Sequence, residues 1–138
     1  DNQLISGPKS QKAKDNQLFL TDAKGARVAT FNDTSFAVVA NNTAYLHTRG
    51  SLKAVALGKI KDELSEWAVD TPPPSELIVS SGAVILGYDG GIKAYSRENG
   101  SLLWESLIPQ GGAVHGLAIS GSMLYASDSH GTIRAYAP

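Results

Sequence analysis

Leu77-Ile-Val-Ser-Ser-Gly-Ala-Val-Ile-Leu-Gly-Tyr88, followed by Gly91-Ile-Lys-Ala-Tyr95 and then Leu102-Leu-Trp-Glu-Ser106, is the stretch that decides the fold. Its apolar runs are short, rich in Val, Ile, Leu and Tyr, and separated by Ser-Gly, Asp-Gly-Gly and Asn-Gly. Such runs read as strands, and the intervening residues supply the positive φ angles of tight hairpin turns. The same order recurs on either side. Upstream it is Phe36-Ala-Val-Val-Ala-Asn-Asn-Thr-Ala-Tyr-Leu-His47, then Ser51-Leu-Lys-Ala-Val55. Downstream it is Leu117-Ala-Ile-Ser-Gly-Ser-Met-Leu-Tyr-Ala-Ser127, then Thr132-Ile-Arg-Ala-Tyr136. Phe36, Leu77 and Leu117 are 41 and 40 residues apart, and Leu52, Ile92 and Ile133 are 40 and 41 apart. Two independent anchors keeping one period define an internal repeat of about forty residues.

Each repeat is expected to be a four-stranded antiparallel meander, and such a unit repeated every forty residues or so describes a β-propeller blade. The expected fold class is all-β. The expected divisions are a partial blade over 1–33, blades over 34–74 and 75–112, and a second partial blade over 113–138. Gln3-Leu-Ile-Ser6, Asn16-Gln-Leu-Phe-Leu-Thr-Asp22 and Ala26-Arg-Val-Ala-Thr-Phe31 read as the later strands of the first unit, and the last unit reaches its third strand before Pro138. The strands then group as three, four, four and three. Closed propellers have four to eight complete blades, so this reads as an incomplete propeller.

Two stretches fit the meander less simply. Leu57, Ile60, Leu64 and Trp67 form a helical stripe where the repeat predicts only a turn. Either an extended turn holding one helical turn or a true short helix satisfies it. Thr71-Pro-Pro-Pro74 is expected to be an irregular connection between blades, because proline donates nothing to a sheet ladder.

The 138 residues carry a formal net charge of −1, with 18% charged residues, 14 glycines and no cysteine. No basic cluster suits phosphate contacts, which argues against nucleic acid as a partner. Absence of Cys excludes disulfides, Cys-ligated zinc, iron–sulfur clusters and thiol nucleophiles. No apolar run approaches the length of a membrane-spanning helix. Asp1-Asn2-Gln3 has neither an initiator Met nor the apolar region of a signal peptide, which predicts a chain processed, trimmed or cut from something longer.

Ala94-Tyr-Ser-Arg-Glu-Asn-Gly-Ser-Leu-Leu-Trp104 resembles the tryptophan-docking motif of quinoprotein-type (PQQ-like repeat) propellers, usually Ala-x-Asp-x-x-Thr-Gly-x-x-x-Trp. Ser96 stands for the usual Asp and Asn99 for the usual Thr, whereas Ala94, Gly100 and Trp104 match. The first repeat keeps Ala54 and a candidate Trp67; Asp22-Ala-Lys-Gly25 is a shortened copy with Phe31 near the aromatic position. The resemblance covers roughly residues 15–138. It implies that the indoles join blades, and it implies an extracytoplasmic setting. For a catalytic member it would also imply pyrroloquinoline quinone and Ca²⁺ near the propeller axis. Glu76, Asn41 and Asp128 are oxygen-bearing residues of the right type, but their spacing does not mark one calcium cage.

Other chemistry is sparse. His47, His115 and His130 occupy different repeat positions and show no zinc-binding spacing. Asp128-Ser129-His130 contains triad residue types but reads as a turn whose short side chains satisfy the backbone. Lys9, Lys12 and Lys14 read as a solvated loop. No catalytic, cofactor-binding or metal-binding residue is assigned, and no cofactor is expected.

The leading functional expectation is a non-catalytic propeller scaffold or protein-interaction module. Its open blade faces and unpaired strand edges would be covered by missing blades, another protein chain or a second copy. An alternative is part of a quinone-dependent dehydrogenase whose catalytic residues lie elsewhere. A third is a self-associating sensor, since luminal stress sensors use related repeats.

Overall fold

The computed structural model describes residues 4–6, 17–62 and 64–137. The chain divides into two compact units, Asp1–Asp70 and Thr71–Pro138. In the first, β1 (Leu4–Ser6), β2 (Leu18–Thr21) and β3 (Arg27–Phe31) form one sheet. A second sheet there contains β4 (Thr34–Ala40), β5 (Thr43–Thr48), β6 (Ser51–Ala56) and β7 (Trp67–Asp70). The second unit holds β8 (Pro74–Val79), β9 (Ala83–Tyr88), β10 (Gly91–Ser96) and β11 (Leu102–Leu107) in one sheet. Its other sheet is β12 (Val114–Ser120), β13 (Met123–Asp128) and β14 (Ile133–Tyr136). In all four sheets the neighbours follow chain order and pair antiparallel. The meander is the arrangement the turn chemistry demands. Asn41 and Asn42, for example, both adopt positive φ (49° and 63°) in the two-residue loop between β4 and β5.

Within each unit the two sheets meet on apolar faces. Leu20, Phe31, Ala44, Leu46 and Val55 form the core of the first unit. Ile85, Ile92, Ala94, Ile108, Val114, Leu124 and Ala126 form that of the second. Strand alternation sorts these residues: successive side chains point to opposite faces, so each apolar strand can serve two sheets at once.

The pairings correct one repeat anchor. Phe36 pairs His47, whereas Leu77 pairs Leu86 and Leu117 pairs Ala126. The counterpart of Leu77 and Leu117 is therefore Ala37, which pairs Leu46. A one-residue slip turns a side chain to the other face, which is why the larger Phe36 misled the alignment. Ala37, Leu77 and Leu117 keep an even forty-residue period. Just before each lies a register shift, between Thr34 and Phe36, Pro74 and Glu76, and Val114 and Gly116.

The other difficult stretches resolve as follows. Residues Leu57–Asp62 form a 3₁₀-helix, longer than a single turn. With three residues per turn, Leu57 and Ile60 stack on one side, and both pack on the first unit's core. The stripe goes no further: Leu64 is exposed, and Trp67 opens β7. Pro74, expected in an irregular connection, is instead the first residue of β8, opposite Tyr88. β8 is an edge strand, and the first position of such a strand tolerates a missing N–H. Lys9, Lys12 and Lys14 lie outside the described residues. Among the described residues no helix is long and apolar enough to cross a membrane.

Gly87 sets how closely the second unit's sheets approach. A Cβ built there would stand 2.6 Å from Cγ1 of Val114, a fully buried residue of β12. Gly87→Ala is expected to cost about 1–3 kcal/mol through overpacking. Urea denaturation of the purified chain measures it; an unchanged midpoint would mean that the sheets can part freely.

Candidate functional site

The repeat places alanine beneath an indole twice. Ala54 pairs Trp67 across β6 and β7, and Ala94 pairs Trp104 across β10 and β11. The sequence motif thus marks a register: a side chain small enough to sit under a large ring on the adjoining outer strand. The first sheet departs from this pattern. There the bulge-aligned counterpart pair is Leu20 with Ala29, and Phe31 falls two residues beyond the aromatic position. The short Asp22-Ala-Lys-Gly25 connection leaves no room for the longer register. Trp67 leans on Tyr45, with ring centroids 6.1 Å apart. Trp104 stacks at 5.8 Å on Tyr136 of β14 and so ties β11 to the next sheet.

Repeat equivalence then exposes an asymmetry within the second unit. Ile78, Ala83, Ile85, Ile92 and Ala94 share the face of the β8–β11 sheet that the β12–β14 sheet covers. Counting along the pairings, the matching face of the β12–β14 sheet carries Ala118, Met123, Tyr125, Ile133 and Ala135. These side chains are apolar and uncharged, and among the described residues of this unit no sheet covers them. Ile92 is 0% exposed, whereas its counterpart Ile133 is 75% exposed. An outer face as apolar as an interior one, left bare, is the feature that singles out this surface.

A cleft of about 630 Å³ opens on the opposite face of the β12–β14 sheet, between β11 and β14. Ile85, Trp104, Ile119, Leu124 and Tyr136 line it, with Ser80 at the adjoining turn. In both complete sheets a fourth strand pairs with the third; β14 has no such neighbour among the described residues.

The register shifts contribute a row that the sequence reading missed: Ser35, Ser75 and His115, forty residues apart. Ser75 Oγ donates to the carbonyl of Val114 at 2.6 Å and so fastens β8 to β12. Ser35 Oγ lies 2.8 Å from Nδ1 of buried His47. His115, at the same place in the sheet with the bare face, is exposed. Only the corrected forty-residue alignment brings the three into one column.

The residues considered for other chemistry have structural partners. Asp128 is buried, and its Oδ1 accepts hydrogen bonds from the N–H groups of His130 and Thr132 at 2.9 and 3.1 Å. Its Oδ2 lies 3.2 Å from Nε of Arg134. Burial pushes this carboxyl upward, but the Thr132, His130 and Arg134 hydrogen bonds outweigh it and leave the group below the ordinary aspartate value. The oxygens that a calcium ion would need are thus engaged by the β13–β14 turn. Glu76 lies in β8 and Asn41 in a turn of the other unit, and among the described residues no three His, Asp or Glu side chains are grouped to hold a metal. The donor set does not fit the calcium of a quinone enzyme.

One further charged cluster decorates β10 and β11. The Tyr88 hydroxyl donates to Glu105 Oε1 at 2.7 Å, and Lys93 Nζ lies 3.4 Å from the same oxygen. Burial first and the Glu105 bond second push the Tyr88 hydroxyl up to about 12, while the Tyr88 bond and then Lys93 hold Glu105 low. Lys93 and Glu105 face each other directly across the strands.

No family model and no curated protein matches the chain. Among solved structures it is similar to the computationally designed Ika4 protein, with a TM-score of 0.78 and 18% identity over 99% of this chain and 86% of that one. It is also similar to BBS1N, crystallised in complex with ARL6DN, at a TM-score of 0.67 and 17% identity over 97% of this chain and 50% of that one. BamB from Moraxella catarrhalis matches at a TM-score of 0.54 and 18% identity, over 94% of this chain and 56% of that one. The chain spans about half the length of the last two. The neighbours are propeller proteins, and the fold of this chain is all-β, built of partial and complete propeller-type blades.

Two consequences are measurable. Ile92→Ala is expected to cost about 2–5 kcal/mol as a cavity-forming core change. Ile133→Ala at the same repeat position should stay within about 0.5 kcal/mol in the isolated chain. Equal losses in chemical denaturation would show that the β14 face is covered. For Asp128, the native carboxyl titrates below the unfolded value of about 3.9, so its stabilisation is present above that pH and is lost as pH falls through the lower native value. Asp128→Asn should lower the melting temperature at neutral pH and flatten its decline in acid. A variant profile parallel to the parent below about pH 4 would assign the acid sensitivity to other carboxylates.

Proposed function

We propose that this chain is a protein-interaction scaffold that binds through the bare face of the β12–β14 sheet. The observation that carries this reading is the contrast between two equivalent faces. That of β8–β11 is buried under another sheet, and that of β12–β14 presents Tyr125 and Ile133 to solvent. A surface of this composition releases ordered water when a partner covers it, and association is then driven by the same burial that closes the neighbouring sheets. Aromatic and aliphatic side chains flanked by small residues suit a close-packed protein contact. The BBS1N structure, solved with ARL6DN, is in keeping with a propeller acting as a platform for another protein. The extracytoplasmic setting implied by the quinoprotein resemblance belongs to the same reading.

The experiment is site-directed photocrosslinking in an extract of the source organism. With a photoreactive phenylalanine analogue replacing Tyr125, discrete protein adducts should form, and Ile133→Lys should remove them. The same analogue replacing the exposed Lys24 serves as the control. Adducts of equal pattern from both positions, or none from position 125, would refute the scaffold reading.

A further inference from the structure

We propose that a pocket between the two sheets of the first unit binds a small organic carboxylate, with Lys53 holding the anion and an apolar wall holding its body. This site lies apart from the interaction surface above, which belongs to the other unit. The pocket has a volume of about 190 Å³, and all its lining residues fall between Thr30 and Ile60. Its apolar wall is Phe31, Leu46, Val55 and Ile60, of which the first three are buried. Strand geometry sets this wall. Leu46 pairs Lys53 across β5 and β6, so the two share the face that meets the β1–β3 sheet, and Val55 follows two residues on. Lys53 is half-buried there, its methylene stem beside apolar neighbours and its ammonium group at the border of the packed face.

Two observations give the occupant a negative charge. The first is a break in the repeat. Lys53, Lys93 and Arg134 form one column, since they pair Leu46, Leu86 and Ala126. Two of these cations have an acid: Lys93 faces Glu105 across the strands, and Arg134 meets Asp128. Opposite Lys53 stands Ala68, and among the described residues no carboxylate pairs with this lysine. A cation partly withdrawn from water without a counter-charge is unfavourable, and an anion entering the pocket relieves that. The second observation is the character of the rim. Asn32 accepts through Oδ1 from Gln17 Nε2 at 2.9 Å, which leaves its NH₂ group uncommitted. Arg49 binds Asp33 Oδ2 through Nε and Nη2 at 2.8 and 2.6 Å, which neutralises that acid and leaves Nη1 over. Thr34 and Thr48 give their protons to the carbonyls of Asn32 and Asp33, and Thr30 has a hydroxyl to spare. The uncommitted nitrogens are thus all donors, and among the described residues no carboxylate lines the pocket. The apolar wall narrows the choice of anion. Inorganic phosphate would set hydrated oxygens against Phe31 and Ile60, whereas a carboxylate on a short apolar body satisfies both halves. Drug-sized pockets begin at about 300 Å³, so the body is small.

The test titrates benzoate, its neutral isostere benzamide and inorganic phosphate into the ¹⁵N-labelled full chain. Benzoate should give saturable shifts at the amides of Thr30, Asn32, Lys53 and Ile60, with a Kd below about 1 mM. Benzamide should bind at least about tenfold more weakly, the loss expected when hydrogen bonds to a charged group become neutral ones. Phosphate should also bind more weakly than benzoate. Added salt should weaken benzoate and leave benzamide unchanged. Lys53→Met keeps an apolar stem and removes the charge. It should bring benzoate down to the benzamide level while benzamide itself binds as before, a pattern that general unfolding would not give. Because the comparison of benzoate with benzamide uses the unaltered chain, a misfolded variant cannot decide the result. No saturable binding, equal binding of the two isosteres, or shifts confined to residues away from the pocket would each overturn the proposal. So would phosphate binding as tightly as benzoate, or benzoate binding that survives Lys53→Met undiminished. None of these outcomes touches the scaffold reading, whose crosslinking position lies on β13.

Discussion

A sheet with apolar side chains on both faces is stable in water only if both faces are covered, and this requirement shapes the whole chain. The meanders here are of that kind. In β9, Val84, Ile85 and Leu86 are all buried although successive side chains point in opposite directions. A two-layer sandwich would leave the second face of each sheet wet. Within each unit, lateral repetition covers one of these faces, because the two sheets bury apolar side chains against each other. The solution has a built-in remainder: any sheet that lacks a neighbour keeps an interior-like surface on the outside. Ile133 and Tyr125 mark that remainder.

Polar residues are used in a way that fits the same constraint. They seldom compete for the interior, and two of those that enter or border it hold backbone. Asp128 binds two N–H groups of its own turn, and Ser75 reaches from a bulge to a carbonyl of the next sheet. Bulges are the place for such contacts, since the extra residue re-aims one side chain without disturbing the alternation beyond it. The recurrence of the bulge at residues 35, 75 and 115 makes it part of the repeat's design. The residue at that point serves differently in each sheet: Ser75 binds Val114 of the next sheet, Ser35 approaches His47 of its own, and His115 is exposed.

Much of this architecture is legible in the sequence. Gly- and Asn-rich pairs between short β-branched runs fix the hairpins, and the forty-residue period fixes their grouping. Ala54, Trp67, Ala94 and Trp104 reveal an actual cross-strand register, because a small residue beneath an indole is a packing necessity rather than a local preference. What escaped reading depended on tertiary detail. Phe36 and Ala37 differ by one step along a strand, and hydrophobicity alone favours the wrong one. Nothing local announces a bulge, so the Ser35, Ser75 and His115 column was invisible until pairings were known. The stripe from Leu57 to Trp67 looks helical because its first two members are, while Trp67 belongs to a strand that happens to continue the spacing. The bare face is a further case: its residues read as core from sequence, and only the structure shows that nothing in their unit covers them.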